Sequence, residues 1–407
     1  MEGNDSNCSV VSKYDEIIES PDDSSGPLTF GIELEFLFPL LRDGASDPDP
    51  TERRPLHSFI GYDDTDRQLI HVLEKACDIR FRLSKQDVFH EPHSNVVIYD
   101  KWRLTNDNSV RFRKLGPREY IWTGREITSE VMRADEPAVY VKRITDVCHA
   151  IRQARVHLNQ STSVHVHVGR GEESFSLLTM KKFTTLILLV DDRLMKLHHP
   201  CRQESIHCRL LSESSTLASL GHRELMEGSN GLNESQSKQM LQFVPNTSPT
   251  VKVLRASKCI RELAEMMCNP NEPQIYRGSV GFTRFLPAGK TGGNTHTFEF
   301  RQMAGCLDPV PIIHWVRVCL ALVDFARLSD AQRYKDLLAK IMTGGSTFTE
   351  FNLLSELNLV EEEKYFRSSV EGYSQSLEFY AGENSGCLFV PQSEREQYVV
   401  STATEQS

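Results

Sequence analysis

The sequence predicts an α+β protein, with a mainly antiparallel sheet, helices packed on one of its faces and the other face left open. Three observations lead there. Three separated segments alternate with period two, with hydrocarbon on one side and carboxylate, imidazole or guanidinium groups on the other. Long stretches with apolar residues at helical spacing lie between them and supply cover for the hydrocarbon side. Strands and helices neither alternate strictly nor segregate along the chain, which argues against a purely parallel sheet.

Taken in order, residues 1–26 are rich in Ser, Asp, Asn and Glu, a composition that predicts a disordered N-terminal segment. Residues 27–39 form the first strand. Phe30, Ile32, Leu34, Phe36 and Phe38 share one face, and Gly31, Glu33 and Glu35 share the other. A rise of about 3.3 Å per residue sets the two carboxylates roughly 6–7 Å apart, close enough to hold divalent cations. Three prolines mark 42–55 as a surface insertion. Leu69, Leu73, Ala76 and Cys77 predict a helix over about 66–80. Residues 95–129 read as two or three strands, from the alternation of Val96 with Ile98, Trp102 with Leu104 and Tyr120 with Trp122. An amphipathic helix is expected over 136–158.

The second device is the strand 161–169, where Val164, Val166 and Val168 face one way and His165 and His167 the other. A core helix over 177–197 follows, then a polar excursion over 198–250 that is a candidate covering loop. A helix over 250–268 leads to further strands over 275–301. Within these lies the third device, where Phe298 and Phe300 face back and Thr297, Glu299 and Arg301 face forward. Asp308-Pro309 opens a helix to about 328, helical patterns continue to about 370, and 371–407 is a polar tail. The expected organisation is one catalytic domain over 27–370.

Bulk properties narrow the function. With 46 basic and 56 acidic residues the net charge is −10, which argues against nucleic acid as the main partner. No uninterrupted apolar run approaches the ~20 residues of a bilayer span, and the acidic N-terminus has no secretory h-region. Ten cysteines without a C-x-x-C pair read as reduced thiols, so a cytoplasmic protein without membrane attachment is expected. The group His198, His199, Cys201, His207 and Cys208 has no standard zinc spacing.

The forward-facing groups are Glu33, Glu35, Glu126, His165, His167, Glu299 and Arg301. Carboxylates sharing one cleft repel unless cations lie between them. An oxygen-rich set with imidazole suits Mg²⁺ or Mn²⁺ better than Zn²⁺, and arginine matches phosphate or carboxylate. Divalent cations with an arginine are what phosphoryl transfer requires. Neither a P-loop nor a dinucleotide fingerprint is present. Ordinary strand histidines, a surface Glu299–Arg301 pair and a turn opened by Asp107 with Asn108 are the structural alternatives. Arg255, Arg277 and Arg284 are candidates for further phosphate contacts.

Gly-x-Glu-x-Glu at 31–35, Asp-x-Ser at 107–109, Glu-Ile-x-Ser at 126–129, His-Val-His-Val-Gly at 165–169 and Glu-Phe-Arg at 299–301 resemble the amidoligase family. That family is similar to glutamine synthetase and glutamate–cysteine ligase. The resemblance covers 29 to about 325 and implies a glutamine synthetase-like fold. It also implies ATP-dependent joining of a carboxylate to an amine, on small-molecule or peptide substrates, through an acyl phosphate with Mg²⁺ or Mn²⁺. Carried onto these positions, it makes Glu33, Glu35 and Glu126 metal ligands on the substrate side. It gives His165 and Glu299 the metal nearest the ATP phosphates, and His167 the nucleotide or phosphate. Arg301 sits on the transferring phosphoryl group and Asp107 at the amine or metal end, so that Glu33, Arg301 and Asp107 carry the catalysis. The competing readings are a metal-dependent hydrolase built on the His-x-His strand and a non-catalytic binding protein on the same fold.

Overall fold

Strand β1 (Thr29–Leu41) is the axis around which the sheet is laid, in a computed structural model that describes residues 23–50, 52–83, 99–111, 118–219, 257–268, 277–286 and 295–381. Eight further strands accompany it among the described residues: β2 (His57–Ser58), β3 (Phe81–Leu83), β4 (Trp102–Asn106), β5 (Tyr120–Thr128), β6 (Met132–Arg133), β7 (Ser163–Gly169), β8 (Val280–Gly281) and β9 (Phe298–Ala304). Their order is β3-β4-β5-β1-β7-β9-β8, with β2 and β6 paired to the ends of β1. Only β1–β2 and β3–β4 run parallel; the other pairings are antiparallel, as the alternating pattern predicts.

Ten α-helices complete the described chain: α1 (Tyr62–Ala76), α2 (Pro137–Gln153), α3 (Leu177–Lys196), α4 (Leu211–Ser214), α5 (Thr216–Ser219), α6 (Ile260–Met267), α7 (Pro309–Leu328), α8 (Ala331–Gly344), α9 (Glu350–Glu356) and α10 (Val360–Ala381). The hydrocarbon face of the sheet is buried against them. Tyr140 of α2 meets Phe30 edge-on at 5.1 Å. Phe183 of α3 lies 3.9 Å from Phe298 and 5.8 Å from Phe300, and Trp315 of α7 closes on Phe300 at 6.1 Å. Burial of these aromatic rings, each worth about 2 kcal/mol or more, pins β1, β7 and β9 with their other side chains facing away from the helices.

The α7 segment differs from the expectation that no apolar stretch approaches membrane length. The most apolar 18-residue window of this 20-residue helix has a mean hydropathy of 1.5, and about two-thirds of that window is buried inside the protein. Asp308 caps it by accepting from the Val310 N–H at 2.9 Å, with Pro309 in its first turn as the sequence predicts. This is the central helix behind the sheet, where an all-round apolar surface is what packing requires.

The segment 198–250, expected as one polar excursion, divides. Residues 198–219 fold back into the body as a 3₁₀ turn (Pro200–Arg202), α4 and α5. The Asp191 carboxylate accepts from the Leu211 N–H at 2.7 Å and the Ser279 hydroxyl at 2.6 Å, and Arg202 donates to the carbonyl of Arg301 at 2.8 Å. In this part of the segment His198, His199, Arg202, Ser214 and Ser215 are buried, while Gln203, Glu204 and Glu213 stay exposed. Residues 220–256, with the Arg255 candidate and the start of the expected 250–268 helix, lie outside the described residues, as do Val96 and Ile98. Of the expected strands over 275–301, the described residues contain β8, a 3₁₀ turn (Thr283–Phe285) and the start of β9, while 275–276 and 287–294 lie outside them. The final helix continues past the expected limit at 370, to Ala381.

Two expectations for stability follow. The His198 ring meets Trp315 edge-on at 4.2 Å, and burial, reinforced by Arg202, pushes its pKa down to about 3. Below the ordinary value of 6.5 the unfolded chain takes up a proton that the folded chain refuses, so folding stability falls as pH drops from about 6.5 towards 3. The slope contributed is on the order of 1.4 kcal/mol per pH unit. His198→Phe removes this component, and urea midpoints measured from pH 7 to pH 4.5 decline less steeply than in the parent. At Gly124 an added Cβ would lie 2.2 Å from the Asp107 carbonyl oxygen and 2.4 Å from that of Val110. Gly124→Ala therefore displaces the turn that carries Asp107 and lowers stability by about 2 kcal/mol or more, read by chemical denaturation.

Candidate active site

Register brings the polar side chains together. In antiparallel pairs, directly opposed residues share a face with Cβ atoms about 4.5–5.5 Å apart. Glu126 of β5 opposes Glu35 of β1, Glu33 of β1 opposes His165 of β7, and His167 of β7 opposes Glu299 of β9. The chemistry therefore runs diagonally over four adjacent strands, on the face away from the helices. A register shift between β7 and β9 sets Arg301 and Gln302 together against His165, a bulge of the kind that re-aims side chains next to functional sites.

The groups meet in detail. Glu33 lies between two imidazoles, with Oε2 2.8 Å from His165 Nδ1 and Oε1 3.0 Å from His167 Nε2. Glu299 Oε1 is 3.7 Å from His165 Nδ1 and 4.0 Å from His167 Nε2, and it pairs directly with the Arg301 guanidinium. The Ser163 hydroxyl contacts Glu35 Oε2 at 2.6 Å and His165 Nε2 at 2.7 Å, and Thr128 donates to Glu126 Oε1 at 2.9 Å. Asp107 Oδ1 accepts from both the N–H and the hydroxyl of Ser109, each at 2.6 Å. The turn expected of Asp107 is thus real, and the same carboxylate also stands beside Glu35 and Glu126. Glu299 and Arg301, weighed as a surface pair, are a buried one, only 4% and 6% exposed.

The electrostatics divide the cluster in two. Burial disfavours the Glu33 carboxylate, yet His167 and His165 beside it hold its pKa well below the usual range. Burial likewise opposes Glu299, but Arg301 and then His167 bring it down to about 2. At the other end His165 and Arg202 oppose the rise at Glu35 without cancelling it. Burial raises Glu35, and the Asp107 charge adds to that against the pull of His165. Burial followed by Glu33, Glu35 and Asp107 pushes Glu126 well above the usual carboxylate range. A partly buried corner of like charges in this state is one that a divalent cation can stabilise.

Ligand-type atoms approach within 4.8 Å of one another in three overlapping sets: Glu33, Glu126 and His165; Glu33, His167 and Glu299; and Glu35, Asp107 and Glu126. Oxygens around Mg²⁺ or Ca²⁺ stand about 2.0–2.6 Å from the ion, so each set has the span of a coordination shell. The donor set, mostly carboxylate with imidazole, fits a hard divalent cation. His167, read from the sequence as a nucleotide or phosphate contact, falls into a ligand set with Glu33 and Glu299.

A basic flank adjoins the acids. The Arg301 charge, and then burial, lowers the pKa of Arg277, which marks two neighbouring guanidiniums. Burial lowers His207 to about 4, helped by Arg277, Arg301 and Arg202. On another side Arg284 is hydrogen-bonded to Tyr99; burial works against its charge, but Tyr99, Glu299 and Glu33 raise its pKa. Two of the three arginines proposed for phosphate contacts, Arg277 and Arg284, thus reach the cluster. Ser163 was readable in advance, because it continues the 163, 165, 167 alternation. Arg202 and Tyr99 come from segments without periodicity and nothing in the sequence marks them, whereas His207 enters the sequence reading only through the His/Cys group of 198–208.

A family model described as "Putative amidoligase enzyme" matches residues 26–323. That span contains all nine described strands and every residue of the cluster. Searches of curated proteins and of solved structures find no match. With close to three-quarters of the chain matched, the chain belongs to the amidoligase family of ligase enzymes.

Proposed function

We propose that the protein joins a carboxylate to an amine at the expense of ATP, through an acyl phosphate, in a glutamine synthetase-like site. The observation that carries this reading is the division of the cluster: an acidic corner at Glu35, Glu126 and Asp107, compensated only in part, continues directly into an arginine flank. The first suits divalent cations and the second suits phosphate. Amide ligation through a phosphorylated acid needs both side by side.

Glu33, Glu35, Glu126, His165, His167 and Glu299 are the residues that would hold Mg²⁺ or Mn²⁺. When bound, the cations neutralise charge on the phosphates and on the reacting carboxylate. The chain's own residues account for the rest. One oxygen of the acid substrate attacks the γ-phosphorus as the bond to ADP breaks. Arg301, which pairs with Glu299 in the described state, donates its N–H groups to the transferring phosphoryl oxygens. The amine then attacks the acyl carbon and the phosphate leaves, while Asp107 takes the proton that the nitrogen loses. Recessed carboxylates with little solvent contact disfavour water as the competing nucleophile.

Purified protein with ATP, Mg²⁺ and pools of acids and amines should release phosphate only when both an acid and an amine are present, with amide product in equal amount. Glu33→Gln and Glu299→Gln should each lower that rate by at least about 100-fold, and Arg301→Lys by a similar factor, because lysine cannot reproduce the guanidinium's paired donors. Hydrolysis without nucleotide would instead establish the hydrolase built on His165 and His167.

Cation binding has its own measurement. Mg²⁺ or Mn²⁺ at 100 times its dissociation constant should stabilise the folded protein by about 2.7 kcal/mol, read as a rise in Tm of a few degrees. Chelator should reverse the rise and abolish turnover together. In Glu126→Gln protein the rise should largely vanish, because the repulsion that the cation relieves has been removed.

A further inference from the structure

Arg202 belongs to none of the motifs, yet its guanidinium is held against the main chain of the residue that leads the basic flank. It ends the 3₁₀ turn Pro200–Arg202, is 1% exposed, and donates from Nη2 to the Arg301 carbonyl oxygen at 2.8 Å.

The ladder around Arg301 explains why a side chain is needed there. Directly opposed residues of an antiparallel pair exchange two main-chain bonds or none. β8 opposes β9 as Gly281 to Glu299 and Val280 to Phe300, so Ser279 would face Arg301 next. Only half of that exchange is made. The Arg301 N–H donates to the Ser279 carbonyl at 2.8 Å, but the Ser279 N–H turns to the Arg209 carbonyl at 2.7 Å. The Arg301 carbonyl, on the same side as its N–H, is thereby left without its ladder donor. On the other side of β9, the register shift against β7 falls at this same residue. A buried carbonyl without a partner is costly, and Arg202 supplies the donor.

The turn behind Arg202 is itself fixed. His199 accepts the Cys201 N–H at 3.2 Å, the Gln203 N–H closes on the Pro200 carbonyl at 3.0 Å, and the His198 ring is seated against Trp315. A bulge re-aims the side chain it carries, and the direction depends on how the main chain is pinned. Here the side chain so aimed is the Arg301 guanidinium.

We infer that Arg202 is a positioning residue of this site: it supplies the main-chain bond that β8 withholds from Arg301, and so sets the direction in which Arg301 meets an anion. The inference rests on the proposed function in one respect, that Arg301 contacts the transferring phosphoryl group.

The test uses the full chain. Methionine keeps an apolar stem without a donor, and lysine keeps a donor on a stem of similar reach. With Mg²⁺, ATP, acid and amine, Arg202→Met should slow turnover about 10–100-fold, as small misplacements of a reacting group do. Arg202→Lys should recover most of that loss. Arg202→Met combined with Arg301→Lys should be no slower than Arg301→Lys alone, because both remove one contribution. Mn²⁺ binding to Arg202→Met, read by electron paramagnetic resonance, should match the parent, which a general loosening of the fold would not allow. Parent-like turnover in Arg202→Met, full additivity with Arg301→Lys, or a joint loss of Mn²⁺ binding overturns the inference. If Arg202→Met does not fold, Arg202→Lys and Arg202→Gln replace it. Lysine reaches the carbonyl and the shorter glutamine does not, so equal turnover in the two overturns the inference. Calorimetry with Mg²⁺ and β,γ-imido-ATP separates this failure from that of the function. A parent that binds the analogue but makes no amide refutes the ligase reading alone, and the same set of variants then reads on affinity. A parent that makes amide no faster than Arg202→Met refutes the Arg202 inference alone, and one that neither binds the analogue nor makes amide refutes both.

Discussion

The clamp of two imidazoles on the Glu33 carboxylate, at 2.8 and 3.0 Å, is the contact around which the face of the sheet is organised. A carboxylate in the middle of a central strand has neighbours on both sides and little access to water, so its charge is costly unless partners are built in. The partners come from β7, and they can do so only in one register. Sliding β7 by one residue would turn His165 and His167 into the helices and bring Val164, Val166 and Val168 onto the polar face. The hydrocarbon behind β1 and β7 therefore fixes the chemistry in front of them. Packing of Phe30, Phe183, Phe298 and Phe300 is a condition of the site as well as of stability.

Once Glu33 is clamped, the rest of the cluster follows from charge. Glu299 has Arg301 and settles as an ion pair. Glu35, Glu126 and Asp107 have no equivalent, and hydroxyls from Ser163, Thr128 and Ser109 give hydrogen bonds without charge. Neutral donors orient carboxylates but cannot cancel their repulsion. The compensated half keeps its geometry by itself, and the half compensated only in part gains most from an added cation. Arg301 belongs to both descriptions, because a cation on Glu299 would free its guanidinium for another anion.

Much of this was legible from the residues. Period-two alternation in three segments correctly separated the groups that face the helices from those that face the site, since strand geometry leaves two directions to choose between. The helix over 309–328 was readable from Asp308-Pro309 and its apolar residues. What the sequence could not convey was pairing. That His167 meets Glu299, and that Glu126 opposes Glu35, depends on which strands are neighbours, and no local pattern encodes it. The segment after α3 misled for a related reason. Its serines, histidines and arginines have the composition of a solvent loop, yet Arg202 reaches the carbonyl of Arg301 and His198 fills a gap against Trp315. Polar residues that are satisfied internally cannot be told from polar residues in water by composition alone.

The arrangement also sets stability against function. Glu126 opposes Glu35 directly across β1 and β5, and like charges in that relation destabilise a sheet. Neither residue is needed for the hydrophobic layer, which Leu34 and Ile127 supply from the other face of the same two strands. The fold would tolerate two neutral side chains there more easily than two acids. Under the proposed function the repulsion has a use, because it leaves binding energy for a divalent cation. The Phe-rich layer behind them makes this possible: it holds the strands in register firmly enough that the unfavourable pair cannot relax by moving apart.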